Sequence, residues 1–186
     1  KAANHFRDIL AHAIQHQAPA KALLIFDRQD PLTILLADAF RQACPEADAV
    51  DFDSVDPAEI RQRIYALQPG DLVVLLQTSN FRLNEFRMRI ELFSRGLKTI
   101  EVGHLNRIPS EQYATYIAAF AYDPSDLRPL GHELKRRLDQ CQEVRVLCRS
   151  TELVYQGGME PAKLNIGDYS GMKNIGGTFP IGEVFT

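Results

Sequence analysis

Cysteine is sparse and unpatterned. Cys44, Cys141 and Cys148 form no CxxC pair and are odd in number, which argues against a disulfide framework and fits buried thiols in a reducing cytosol. Long apolar runs are missing as well. Leu72 to Leu76 and Ala22 to Phe26 are only a few residues long, against the ~20 that a membrane-spanning helix needs, so no bilayer crossing is expected. The turn after the first predicted strand, Asp27-Arg28-Gln29-Asp30-Pro31, contains neither GxGxxG nor GxxxxGK[ST], which removes the usual backbone cradle for a pyrophosphate. There is no excess of basic charge either. The formal net charge is -3, and the cluster Arg82, Arg87, Arg89, Arg95 and Lys98 is interleaved with Glu85 and Glu91, a solvated-helix pattern rather than a phosphate-tracking surface. Nucleic acid is therefore not an expected partner. The start, Lys1 to His5, has no initiator Met and no apolar secretory core, and Phe179 to Thr186 stops inside an apolar, strand-like stretch. A fragment of a longer chain is expected.

What is present suffices for one packed domain and an appendage. At 186 residues with 45% hydrophobic and 24% charged composition, a compact chain hides roughly 70% of its unfolded surface and needs no staples. Helical periodicity runs from about Asn4 to Gln17, with Phe6, Ile9, Leu10, Ala13 and Ile14 on one face. Strand Ala22 to Phe26 follows, then a helix from Pro31 to Ala43, a short strand at Ala49 to Asp53, and a helix from Pro57 to Leu67 entered at Asp56. Asp71 to Gln77 is apolar on both parities, as a strand covered on both faces should be. A helix from Arg82 to Arg95, a strand from Lys98 to Val102 and helices at Pro109 to Phe120 and Ser125 to Asp139 complete the alternation. Alternating strands and amphipathic helices predict an open, mostly parallel α/β sheet with helices on both faces.

Beyond Asp139 the composition changes. Glu143 to Cys148 and Glu152 to Tyr155 read as a hairpin about Ser150 and Thr151, and seven of the eleven glycines fall between Gly157 and Gly182. The border is placed near Gln142: residues 1–141 form the α/β domain, and 142–186 are the first strands of a second, glycine-rich α+β domain that is incomplete as it stands.

Several residue sets invite chemistry. Asp27, Asp51, Asp53 and Gln77 fall near strand C-terminal ends, where open sheets bind ligands, although capping and solvation explain them more readily. His5, Asp8, His12 and His16 share one sector of the first helix. The i,i+4 spacing of His12 and His16 suits a shared metal, yet a solvated helix face is the preferred reading because no HExxH pattern is present. His104 ends a strand beside Gly103, and His132 follows Gly131 in the last helix. Tyr113, Tyr116 and Tyr122 read as half-buried packing. Glu183 stands among Ile181, Val184 and Phe185. A carboxylate in apolar surroundings pairs with a cation or binds a metal, unless it alternates outward from the sheet, and the residues alone leave these choices open.

The segment Asn174-Ile-Gly-Gly-Thr-Phe-Pro180-Ile-Gly182-Glu183-Val-Phe-Thr186 resembles the N-x-P-x-G-E-V-F-T signature of the thermophilic-type metallo-aminopeptidases, the aminopeptidase T and aminopeptidase S family. Val144 to Leu153 resembles that family's strand ending in G-T-D-L, with Ser150 and Glu152 in place of the Gly and Asp. The resemblance implies a two-metal peptidase with an α/β N-terminal domain, in which Glu183 is the first ligand and the remaining ligands, a Glu, two His and an Asp, lie downstream. Two divalent ions, Zn, Co or Mn, would activate a bridging water and polarise the scissile carbonyl. Small peptides would be the substrates, the setting cytoplasmic, and a homodimer compatible with the reading. A fragment with one ligand would be inactive. The same fold family contains an iron-dependent dioxygenase that opens the ring of 2,5-dihydroxypyridine, a small-molecule alternative using Fe(II). A non-catalytic binding or dimerisation module is the further alternative.

Overall fold

The computed structural model describes residues 1–81 and 88–186. The expected alternation is present as helices α1 (Ala2–Asp8), α2 (Pro31–Ala43), α3 (Pro57–Tyr65), α4 (Met88–Ser94), α5 (Tyr113–Ala118) and α6 (Pro124–Gln140), with strands β1 (Ala22–Phe26), β2 (Asp48–Asp51), β3 (Leu72–Leu76) and β4 (Lys98–Val102). Two helix starts are set by the same device. Asp30 and Asp56 accept the amide protons of Leu32 at 2.8 Å and Ala58 at 2.7 Å, and a proline follows each at the first helical position. The helix predicted from Arg82 is described from Met88 onward, and its first residues, with Arg82, Glu85 and Arg87, lie outside the described residues. The predicted helix from Pro109 is shorter than expected, beginning with a 3-10 turn at Ser110–Gln112 before α5.

The five-stranded sheet has the order β2-β1-β3-β4-β8, where β8 is Gly176–Thr178, and every neighbouring pair is parallel. The chain steps one way from β1 to β2 and the other way from β2 through β3 to β4. Right-handed crossovers therefore put α2 on one face and α3 and α4 on the opposite one. The packing follows this division. Leu23, Ile25, Val50, Val73 and Leu75 meet Ile60 and Ile64 of α3 and Met88 and Leu92 of α4 in one buried cluster. On the other side Phe6 meets Phe40 of α2 and Phe120, each pair with ring centroids 5.5 Å apart. Every residue of β1 and β3 is buried, as the two-parity apolar runs required.

Two compact units divide the chain differently from the border near Gln142. One comprises Lys1–Asp123 and Tyr169–Pro180, the other Pro124–Asp168 and Ile181–Thr186. Part of the glycine-rich stretch returns to the parallel sheet as β8, because Gly176 lets the chain lie against β4. A Cβ there would stand 1.8 Å from the carbonyl oxygen of Thr99, at a φ of +108°. Phe179 is buried just beyond it.

In the second unit α6 holds the backbone around β7 (Lys163–Asn165). Lys135 donates to the Ala162 carbonyl at 2.6 Å, Asp139 accepts from the Ala162 amide at 2.8 Å, and Arg128 donates to the Gly167 carbonyl at 2.8 Å. Gly131 supplies close approach, since a Cβ would come within 2.7 Å of Ile166 Cγ2. β7 pairs antiparallel with β9 (Glu183–Phe185). β5 (Glu143–Cys148) and β6 (Thr151–Gln156) form the expected hairpin with its turn at Arg149 and Ser150.

Gly176→Ala is expected to lower stability by at least ~2 kcal/mol, from the left-handed backbone and the collision with the Thr99 carbonyl. Gly158→Ala, which meets nothing within 4 Å, should stay within ~0.5 kcal/mol of the parent. Urea denaturation of both variants checks the contrast, and equal midpoints would contradict the close approach of β8.

Candidate functional sites

The sheet order reverses between β1 and β3, so the crevice outside their C-terminal ends is the place where an open sheet takes a ligand. Among the described residues, the polar side chains at these strand ends are taken up by hydrogen bonds with one another and with the neighbouring loops. Asp27, 2% exposed, accepts from the Thr78 amide at 2.7 Å, from the Thr78 hydroxyl and from the Gln29 amide at 3.1 Å. The Thr78 hydroxyl also lies 2.9 Å from that of Thr33 in α2. Gln77 is buried; its side-chain oxygen accepts from the Phe81 amide at 2.6 Å while its side-chain nitrogen reaches Glu101 at 3.4 Å. Asp51 pairs with Arg28 at 3.2 Å, and Asp53 accepts from the Gln29 side chain at 2.7 Å. The four residues singled out at the strand ends fasten loops, and Asp27 joins the two loops on either side of the reversal.

Glu183 lies on β9 directly across from Asn165 of β7. The Asn165 side-chain amide donates to its Oε2 at 3.3 Å, and the carboxylate is otherwise exposed. Among the described residues no basic side chain forms an ion pair with Glu183, and it joins no group of three potential metal ligands. His104 is half-buried with a φ of +58° at the start of a 3-10 turn, Leu105–Arg107. His132 is exposed, 4.0 Å from Asp168. Tyr113 reaches Asp30 with its hydroxyl at 3.3 Å, Tyr116 packs edge-on to Phe120, and Tyr122 is buried.

The histidine face of the first helix is not formed as the spacing implied. After Asp8 the helix widens to a π-helix over Ile9–Ile14 and ends at Gln15 in the left-handed conformation, φ 51°. His16 thus leaves the helix, and the i,i+4 relation to the exposed His12 is lost. Its amide closes on the Leu10 carbonyl at 2.9 Å. The imidazole instead stands beside Cys44, the C-cap of α2, and Glu46, in the turn that the Ala47 amide closes on the Cys44 carbonyl at 3.1 Å. One donor atom from each of His16, Cys44 and Glu46 lies within 4.8 Å of the others.

Cys44 is 2% exposed, and its thiol donates to Glu46 Oε1 at 3.2 Å. Burial, then that hydrogen bond, pushes the thiol up to about 12. Burial first and Lys98 second lower the His16 imidazole below its ordinary value. Glu46 is held below the usual carboxylate range by its own backbone amide and then by the thiol. Beside this cluster, at the N-terminal edge of the sheet, lies a cavity of about 560 Å³ whose lining includes Pro19, Lys21, Glu46, Asp48, Arg63 and Leu67. Sequence spacing could not reveal the grouping, because it depends on where a π-turn releases His16. The nearest signal was the Cys44-x-Glu46 pair.

The expectation of buried thiols holds for Cys44 alone. All three cysteines are free, but Cys141 is half-buried and Cys148 exposed on β5. Among the described residues no helix is long and apolar enough to cross a membrane. No protein-family model, no curated protein and no solved structure matches this chain.

Alkylation of the native protein below the ordinary thiol value of 9.0 is expected to modify Cys148 first and to leave Cys44 untouched until denaturant is added. Because the folded thiol holds its proton more tightly than the unfolded one, stability should fall as pH rises from 9.0 towards about 12. Cys44→Ala should flatten that fall. Peptide mapping by mass spectrometry and urea midpoints against pH read the two effects, and labelling of native Cys44 at the rate of Cys148 would contradict them.

Proposed function

We propose that this chain is the N-terminal α/β part, with the first strands of the catalytic part, of a metal-dependent aminopeptidase-like hydrolase acting on small peptides in the cytoplasm. The observation that carries the reading is the presentation of Glu183. It follows Pro180-Ile181-Gly182 on a short strand, with its carboxylate exposed and no cationic partner among the described residues. Asn165 engages one carboxylate oxygen from across the β7–β9 pair, as an outer partner that orients a ligand does. The other oxygen is left for a cation. These features fit a first ligand and supply only one. In this reading the other ligands come from the sequence that follows the motif in the family it resembles. Bound divalent ions would supply an activated water and a polarised carbonyl, and Glu183 would anchor them to the strand. The three free thiols suit a reducing compartment.

In the full-length protein, Glu183→Gln is expected to lose one equivalent of bound divalent metal and at least about tenfold in hydrolysis of an amino-acid p-nitroanilide, with the fold intact by circular dichroism. Unchanged metal stoichiometry would remove Glu183 as a ligand. Failure of the parent protein to release p-nitroaniline with Zn, Co or Mn would remove the peptidase reading.

A further inference from the structure

We propose that His16, Cys44 and Glu46 form a zinc(II)-binding site at the N-terminal edge of the parallel sheet, separate from Glu183 and independent of the aminopeptidase reading. Three different elements converge to make it: the end of the π-helix, the C-cap of α2 and the turn that follows. The donors are one imidazole nitrogen, one sulfur and one carboxylate oxygen, a borderline set that suits Zn(II) and not Mg(II) or Ca(II), which take oxygen ligands almost exclusively.

The distances are close to what such an ion needs. Ligand atoms around a tetrahedral zinc with bonds of about 2.0–2.3 Å lie roughly 3.5 Å apart. The Cys44 sulfur and Glu46 Oε1 are already 3.2 Å apart, and all three donors lie within 4.8 Å of one another. The remaining contraction falls on side-chain torsions, and Glu46 is exposed and able to adjust.

A second observation points to an ion. His16 Nδ1 is buried and has no hydrogen-bond partner, a state that ordinarily costs ~1–3 kcal/mol. A cation held through that nitrogen would satisfy it. Charge also balances at the site, since a thiolate and a carboxylate together neutralise one Zn(II). On binding, the Cys44 proton leaves to solvent, a zinc–sulfur bond forms and nothing is oxidised or reduced. The surrounding charges are mixed. Lys98, whose ammonium donates to the Gln15 carbonyl at 2.8 Å, opposes a cation, while Asp71 favours one. Three protein ligands leave a fourth position for water, and one of them, Glu46, also lines the cavity of about 560 Å³.

The test is titration of the reduced protein with Co(II) alone, followed by displacement with Zn(II). One equivalent of Co(II) is expected to produce the near-ultraviolet thiolate-to-cobalt charge-transfer band, and Zn(II) to abolish it. Cys44→Ala should eliminate the band. His16→Gln and Glu46→Gln should each weaken Co(II) binding at least about tenfold, while Glu183→Gln leaves the band unchanged. Glu46 is exposed, so its variant stays informative even where the Cys44 variant fails to fold. No thiolate band, a band that survives Cys44→Ala, or unchanged affinity in both the His16 and Glu46 variants would overturn the site. A band altered by Glu183→Gln but not by Glu46→Gln would overturn it as well.

Discussion

Two adjacent parallel strands, β1 and β3, are buried on both faces, and the rest of the first unit follows from that constraint. A strand apolar on both sides must be covered on both sides, and the handedness of the crossovers decides which helix covers which. The aromatic cluster of Phe6, Phe40 and Phe120 and the aliphatic cluster around Ile60, Ile64 and Leu92 are the two results. With the centre so fixed, polar chemistry is confined to the ends of the strands. The two ends are used differently: at the C-terminal end Asp27 ties the β1 loop to Thr78, while the N-terminal end gathers His16, Cys44 and Glu46 beside a cavity.

Much of the parallel sheet was legible because its signals are local. The runs Ala22 to Phe26 and Leu72 to Leu76, the Asp-Pro starts of α2 and α3 and the alternation itself need only neighbours in sequence to be read. The division into units was less accessible, because glycine-rich sequence is equally compatible with a separate β-structure and with a short parallel strand. What decides is whether a neighbouring backbone comes too close for a Cβ, and that depends on Thr99, far back in the chain.

The candidate sites divide along the same line. Asp27 and Gln77 were locatable as strand ends, and their contacts with Gln29 and Phe81 are local, but the tie of Asp27 to Thr78, 51 residues on, is tertiary. Glu183 could be picked out by its motif, and its exposure and its contact with Asn165 come from the β7–β9 pairing. The helical spacing that set His16 beside His12 on a solvated face does not hold. An extra residue per turn over Ile9–Ile14 rotates everything after it, so periodicity carried His16 to His12 when the backbone carries it to Cys44.

The pairing of β8 with β4 bears on how the molecule is made. Residues 99–101 find their partners at 176–178, after the whole of α6, both hairpin strands and β7 have been traversed. Such a contact has a high sequence separation, and its loop closure must precede any reward. During synthesis β1 to β4 can assemble while β4 remains an open edge, and an open parallel edge is a template for pairing with another chain. The last strand of this sheet is therefore also its shield against self-association, arriving only when Gly176 does.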